Sequence, residues 1–318
     1  MDPEATDCSE ILTKFRADEI EVAKTKNGDM NYKRSFATIT KTDKPFYVAT
    51  HDEKIDSVRA GIVKYQLYYE RELTKRVAEI FEEKSSQGKE SIMLDVGANI
   101  GWFSLVAAAH GATKVYSFEP NLQNTVRFCE SLSLNRWLRD DRSKDVVIPI
   151  AKGAGNRVDQ RELYAVDEYN PGSFTFQKAQ ATKFKNGNET APKVIGKMEI
   201  TTLDSFAERH GWFDSRPSIA LFKLDVEHFE LEVFEGAEKL LKSRLIEKLA
   251  FELKPGHSLH AKSKIIKSLF DAGYEFYMEG IWMGPNKRVE KVYDKWQDLV
   301  EDINKEKYGE NVMFRLRD

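Results

Sequence analysis

Short apolar runs alternate with stretches of helical periodicity along most of this chain. Between Ser91 and about Leu253 the runs are Ile92–Val96, Lys114–Phe118, Val146–Ile150, Ile219–Leu224 and Leu249–Leu253. The segments between them, about 101–110, 121–136, 202–210 and 229–242, carry helical patterns. Near-continuous apolar strands are what a sheet buried on both faces requires, and intervening helices supply the cover. The pattern predicts an α/β fold with a doubly wound, mostly parallel sheet. After Pro255-Gly256 it adds a helix at about 260–272, a strand at Tyr274–Met278, a helix at about 290–305 and a last strand at Val312–Leu316.

Two stretches depart from this rhythm. Residues 160–200 are too long for a βα loop. Within them Leu163–Val166, Ser173–Phe176 and Val194–Ile200 read as strands of an inserted hairpin or flap. Ahead of the sheet, Ile62, Val63, Leu67, Leu73, Val77, Ile80 and Phe81 mark one or two amphipathic helices between Asp56 and about Lys84. Phe36–Ile39 and Phe46–Ala49 predict short strands further upstream. The expected division is a partly helical extension over 1–88 and a main domain over 89–318, with the insertion at about 160–200.

Composition narrows the class. With 41% hydrophobic and 32% charged residues the chain can build a core under a highly charged surface, and 11% aromatics exclude wholesale disorder. A net charge of -3 gives no global positive field, so no nucleic-acid partner is expected. Cys8 and Cys129 are the only cysteines and read as free thiols in a reducing compartment. No run approaches the roughly 18 apolar residues of a membrane span, and the N-terminus lacks the apolar stretch of a signal peptide. A cytoplasmic location is the expectation, and the sequon Asn188-Glu189-Thr190 reads as a chance match.

Chemistry concentrates where strands end. Asp95 closes the first buried strand, and Gly97 and Gly101 flank a tight turn before a helix begins at Trp102. Strand ends of this kind are the ligand rim of open α/β sheets. A dinucleotide fingerprint G-x-G-x-x-G and a P-loop are both absent. An acid beside a G-x-x-x-G turn suits the amino-acid part of S-adenosylmethionine (SAM), whose ammonium needs an anion nearby. Glu119 ends the next strand, 22 residues after Gly97, close to the usual spacing to a ribose-binding acid. Pro120 and Asn121 then start a helix. On the run entering Lys223-Leu224-Asp225-Val226-Glu227-His228, alternation would place Lys223, Asp225 and Glu227 on one face if the strand continues that far.

These segments together resemble the FkbM-type methyltransferases, a class I SAM-dependent family. The resemblance is carried by LDVGANIGWFSL (94–105), YSFEPN (116–121), GSFTF (172–176), TTLDSF (201–206) and LFKLDVEHFELEVFEGAEKLL (221–241). It implies a Rossmann-like seven-stranded sheet with an antiparallel last strand, SAM as cofactor, and methylation of a hydroxyl on a carbohydrate, lipid-linked or secondary-metabolite acceptor. Asp95, Gly97, Asn99 and Gly101 would line the methionine moiety, and Glu119 with Pro120 and Asn121 would hold the ribose. Lys223, Asp225, Glu227 and His228 would stand near the methyl acceptor. His228 occupies the place where the family usually has glycine.

Asp225, Glu227 and His228 are the candidates for a base that takes the acceptor proton. Mg²⁺ bridging Asp225 and Glu227 to a diol is conceivable, but two acids do not make a site. His257 and His260 read as loop histidines. Five lysines (178, 183, 185, 193 and 197) against one acid between Lys178 and Lys197 could attract an anionic acceptor to the flap. The competing readings are a catalytically silent SAM-binding scaffold and a nicotinamide-dependent oxidoreductase.

Overall fold

The computed structural model describes residues 4–14, 36–51, 70–166, 174–181, 183–185, 188–253, 257–277, 292–305 and 311–317. The N-terminal part contributes a helical stretch at 8–14, an antiparallel pair β1 (Phe36–Ile39) and β2 (Tyr47–Thr50), and helix α1 (Arg71–Ser86). The expected amphipathic face on α1 is found, with Leu73, Val77, Ile80 and Phe81 buried. Ile62, Val63 and Leu67 lie outside the described residues.

The central layer follows as β3 (Ile92–Val96), α2 (Trp102–Ala109), β4 (Lys114–Phe118), α3 (Leu122–Leu134) and β5 (Val147–Ile150). The chain then leaves this layer for β6 (Gly153–Ala154), β7 (Asp159–Ala165), β8 (Phe174–Thr175), α4 (Lys178–Ala181), the hairpin β9 (Lys183–Lys185) and β10 (Asn188–Thr190), and β11 (Val194–Thr201). It returns through α5 (Leu203–Arg209), α6 (Trp212–Ser215), β12 (Ile219–Leu224), α7 (Glu230–Glu235), α8 (Glu238–Lys242) and β13 (Lys248–Glu252). The described elements end with α9 (Leu259–Asp271), β14 (Tyr274–Phe276), α10 (Trp296–Asn304) and β15 (Asn311–Leu316).

Seven strands form the central sheet in the order β14-β15-β13-β12-β3-β4-β5. The pairs from β13 through β5 are parallel, and β15 runs antiparallel to both of its neighbours. All six residues of β12 are buried, which is why this strand reads as an unbroken apolar run despite Lys223. Residues 159–201 hold the expected strands, but as more than a flap. β7, β8 and β11 join β6 in a four-stranded sheet of their own, ordered β6-β11-β7-β8.

The helix expected over 229–242 is two helices. The Gly236 carbonyl accepts from Asp204 N–H, and the Asp204 carboxylate accepts from the N–H groups of Lys239 and Leu240. Asp204 thus caps α8 from another element. A Cβ on Gly236 would lie 1.9 Å from the Gly155 carbonyl oxygen, so the joint admits only glycine.

One expectation is corrected. Cys8 and Cys129 are not free thiols; they form a buried disulfide across a separation of 121 residues, tying the N-terminal helical stretch to α3. The reducing compartment inferred from free thiols loses its premise, since disulfides persist in oxidising surroundings. No helix among the described residues is long and apolar enough to cross a membrane. Closing so long a loop restricts the unfolded chain strongly. Cys8→Ser is expected to lower unfolding stability by about 2–5 kcal/mol, read as a reduced urea midpoint relative to the oxidised chain.

Candidate active site

Three strand ends build the rim. At β3, Asp95 is fully buried: its Oδ2 accepts from Ser104 Oγ at 2.6 Å, and its Oδ1 lies 3.7 Å from Lys223 Nζ. Burial pushes its carboxyl above the ordinary range, against the pull of Lys223 and Ser104. The next turn has positive φ at Gly97 (79°), Asn99 (54°) and Gly101 (85°). Gly97 is obligatory for a second reason: a Cβ there would sit 1.7 Å from the Asp225 carbonyl oxygen. The two loops that follow β3 and β12 therefore touch through backbone. Gly101 closes the turn as the residue before α2.

At β4, Glu119 is buried and its carboxylate is held by backbone. Oε2 accepts from Asn99 N–H at 2.8 Å and Oε1 from Asn121 N–H at 2.8 Å. Oε1 also accepts from Asn124 Nδ2 at 3.5 Å, so Oε2 is the oxygen that keeps a second lone-pair direction for a further donor. Burial outweighs these donors and pushes the carboxyl up to about 7. Pro120 follows, and Asn121 caps α3 by accepting from Gln123 N–H at 3.1 Å.

At β12 the expected shared face is only half realised. The strand ends at Leu224, so Glu227 leaves the alternation and lies in the loop. Lys223 is buried in the strand rather than presented to the cleft. Its Nζ donates to the Gly97 carbonyl at 3.0 Å, lies 3.7 Å from both Asp95 and Asp225, and stands 5.2 Å from the Phe103 ring centroid. Burial alone would lower this ammonium's pKa; the carboxylates of Asp225 and Asp95 reverse that and raise it. A lysine so held stays charged and does not serve as a base.

The loop beyond Asp225 is strained. Glu227 (φ 52°) and His228 (φ 72°) are successive non-glycine residues in the left-handed region. The His228 carbonyl accepts from Gln177 Nε2 at 2.7 Å, and its ring lies 4.7 Å from the ring of His257. His257 lies in a loop as expected from sequence, but it is buried and hydrogen-bonded through Nε2 to Glu230 Oε2 at 2.6 Å. His260, also expected in a loop, is on α9. The acids that converge are Asp225, Glu230 and Glu252, with oxygens within 4.8 Å of one another, and Glu227 is not in that set. The Lys223 ammonium feels both Asp225 and Glu252, so the cluster carries a cation of its own.

Between the rim and the four-stranded sheet lies a cleft that, with the solvent space at its open mouth, encloses about 780 Å³. Of the sequence-selected residues, Gly97, Asn99, Glu119, Pro120, Asp225 and Glu227 line it; Asp95, Gly101, Asn121, Lys223 and His228 support it from behind. Sequence reasoning missed Gly153 and Ala154 at β6, and Leu163, Phe174, Phe176 and Phe229 on the facing wall. Phe174 and Phe176 fall within the quoted GSFTF segment, the one signal that could have found them. Lys178, Lys193 and Lys197 are exposed and do not line the cleft, and the side chains of Lys183 and Lys185 lie outside the described residues.

Residues 95–276 match the family described as the methyltransferase FkbM domain, more than half of the chain. Among solved structures, the chain is similar to methyltransferase FkbM from Methylobacillus flagellatus KT, at 18% identity over 51% of this chain and 32% of that one, with TM-score 0.33. It is similar to the SAM-dependent methyltransferase from Agrobacterium tumefaciens, at 9% identity over 76% and 60%, with TM-score 0.40. It is also similar to precorrin-6y C5,15-methyltransferase from Geobacter metallireducens GS-15, at 11% identity over 76% and 84%, with TM-score 0.33. The chain thus spans about a third of the first structure's length and three fifths of the second's. No curated protein sequence matches it. The family match begins at Asp95 and runs across the glycine turn, Glu119, the inserted sheet and the β12 rim, and on that match the chain belongs to the FkbM methyltransferase family.

Proposed function

We propose that this chain transfers the methyl group of SAM to a hydroxyl oxygen of a small-molecule or glycan acceptor, either a carbohydrate, a lipid-linked compound or a secondary metabolite. The observation that carries the cofactor half of this reading is Glu119. Its carboxylate is fixed by two backbone N–H groups and Asn124 Nδ2, faces the cleft, and retains acceptor capacity on Oε2. That geometry suits a ribose hydroxyl. Gly97 and Asn99 would flank the methionine moiety. Asp95 and Lys223 hold that turn in place rather than touching the cofactor.

When bound, SAM supplies a methyl group on a positively charged sulfur. The residues then have two tasks. The first is orientation, since displacement at carbon requires the acceptor oxygen in line with the bond that breaks. Leu163, Phe174 and Phe176 form an apolar wall that would seat the acceptor and exclude water from the rim. The second is removal of the acceptor proton. Asp225 is the acid of the cluster that lines the cleft, with Glu230 and its partner His257 directly behind it. Asp225 would therefore take the proton. Glu227 also reaches the cleft and would bind an acceptor hydroxyl. His228, turned towards His257, would shape the loop instead of acting as the base.

Calorimetric titration with SAM tests the cofactor half, and absence of binding would falsify it. Glu119→Ala is expected to weaken SAM binding about 10- to 100-fold, the loss of hydrogen bonds to a charged acceptor. Wild-type affinity should be level above pH 8 and fall as pH drops below about 7, where the Glu119 carboxyl takes up a proton and weakens as an acceptor for the ribose. An affinity flat from pH 8 to pH 6 would remove Glu119 from the site. Lys223→Met leaves the buried Asp95 without its cation and should cost about 3–5 kcal/mol of stability, measured by urea unfolding. Incubation with methyl-labelled SAM and fractionated extracts tests the acceptor half: the label should be recovered as a methyl ether, and recovery on nitrogen or carbon would overturn the hydroxyl assignment.

A further inference from the structure

The cofactor rim advances one strand at a time. Asp225 follows β12, Gly97 follows β3 and Glu119 follows β4, and these strands are neighbours in that order. Each step along the rim is about 4.8 Å. A nucleoside whose ribose rests on Glu119 therefore places its base over the end of β5, where Gly153 and Ala154 line the cleft. β5 is the outermost strand of the sheet on this side. An outer strand has a free row of backbone groups, and its end is fixed only by what covers that edge.

What covers it is the N-terminal segment. Thr6 N–H donates to the Pro149 carbonyl at 2.8 Å, and Thr6 Oγ1 accepts from Ala151 N–H at 2.8 Å, so one residue clasps the backbone on both sides of Ile150. The Thr6 carbonyl accepts from Arg142 Nη2 at 2.7 Å, and Arg142 Nη1 pairs with Asp7 at 3.0 Å. Asp7 in turn caps the helical stretch at 8–14 by accepting from Ser9 and Glu10 N–H. Glu4 pairs with Lys152, beside Ala151, and with Arg209 at the end of α5. Cys8 is bonded to Cys129 on α3, the helix that begins immediately after Glu119-Pro120-Asn121. The segment thus spans from the helix behind the ribose acid to the loop under the base.

We propose that residues 4–8 are a positioning strap for the adenosine end of the cofactor site, acting through Thr6 on the 150–154 backbone, and that the Cys8–Cys129 bond keeps the strap closed. This rests on the SAM reading above. The strap's own hydrogen bonds must offset the entropy of ordering a chain end. The disulfide removes most of that cost by holding Thr6 close to Pro149 and Ala151 at all times, as a tether raises effective concentration. Reduction by a dithiol delivers two electrons and two protons, breaks the S–S bond, frees two thiols and oxidises the dithiol to its own disulfide. The strap then opens and closes, and the base-side loop loses part of its order.

The test is SAM titration of the full chain in four forms at fixed pH and temperature: oxidised, dithiol-reduced, oxidised Thr6→Val and oxidised Thr6→Ser. Reduction is verified by two titratable thiols, and retained fold by an unchanged far-ultraviolet circular dichroism spectrum and a cooperative unfolding transition. SAM affinity is expected to fall about tenfold on reduction and to return on reoxidation. Thr6→Val should weaken it comparably while the disulfide stays intact, and Thr6→Ser, which keeps the hydroxyl, should bind as wild type does. A purely structural strap would shift the melting temperature in Thr6→Val without changing SAM affinity, and that result overturns the proposal. So does a reduced, folded chain that binds SAM as tightly as the oxidised one. If the oxidised wild type binds no SAM, the cofactor reading and the strap fall together; SAM binding indifferent to reduction and to Thr6→Val removes the strap alone.

Discussion

Lys223 Nζ donates to the Gly97 carbonyl at 3.0 Å while lying 3.7 Å from each of Asp95 and Asp225. One buried cation thereby joins two adjacent strands and the turn after the first of them. Without it, the buried carboxylate of Asp95 and the cleft-lining carboxylate of Asp225 would repel each other, and the Gly97 carbonyl would lose its contact with β12. Every other rim feature assumes this contact. The close approach of Gly97 to the Asp225 carbonyl, the placement of Asn99 N–H on Glu119, and the exit of the chain towards Glu230 all follow from two loops held against each other. A buried ion pair is weak evidence for net stability. Its value here is that the pairing has only one satisfactory arrangement.

Much of this was legible in the chain because the relevant signals are local. Five apolar runs became five parallel strands, and the antiparallel last strand was anticipated from the family resemblance. Glycines at Gly97 and Gly101 and the acid at Glu119 are local features, and the turn and strand end found there match them. The unread features all depend on contacts distant in sequence. Nothing near Cys8 marks Cys129 as its partner 121 residues away. His257 looks like any loop histidine until Glu230 is brought to 2.6 Å from it. The break between α7 and α8 follows from Gly155 approaching Gly236 and from Asp204 capping α8. The alternation through Lys223, Asp225 and Glu227 failed because strand geometry stops at Leu224, and periodicity carries no information about where a strand ends.

His228 shows how a departure from the family's usual residue can be accommodated. At φ 72° this position favours glycine, which accounts for the family's usual choice. An imidazole there costs backbone strain of order 1–3 kcal/mol. The surroundings offset it through the Gln177 hydrogen bond to its carbonyl and the packed ring of His257. Gln177 sits between β8 and α4, in the excursion that also carries the apolar wall. The loop bearing Asp225 and Glu227 is thereby coupled to the wall opposite.

The four-stranded sheet exchanges no backbone hydrogen bonds with the seven-stranded one among the described strands. It is joined to the rim by the close backbone approach of Gly155 and Gly236 at its root, by the Gln177–His228 hydrogen bond and by the packing of Phe176 on Phe229. Phe174 stands on its outermost strand and Phe176 just past that strand's end, where side chains change without disturbing a ladder on the far side. The molecule therefore divides its evolutionary freedom unevenly. On the reading proposed above, substitutions on β8 would let the repertoire of methyl recipients drift, while the glycine contact and the rim of carboxylates remain under steric and electrostatic lock. Grafting an unrelated β7–β8 hairpin beside an unchanged β6 would then exchange the recipient and leave Gly153 and Ala154 on the donor's side as they are.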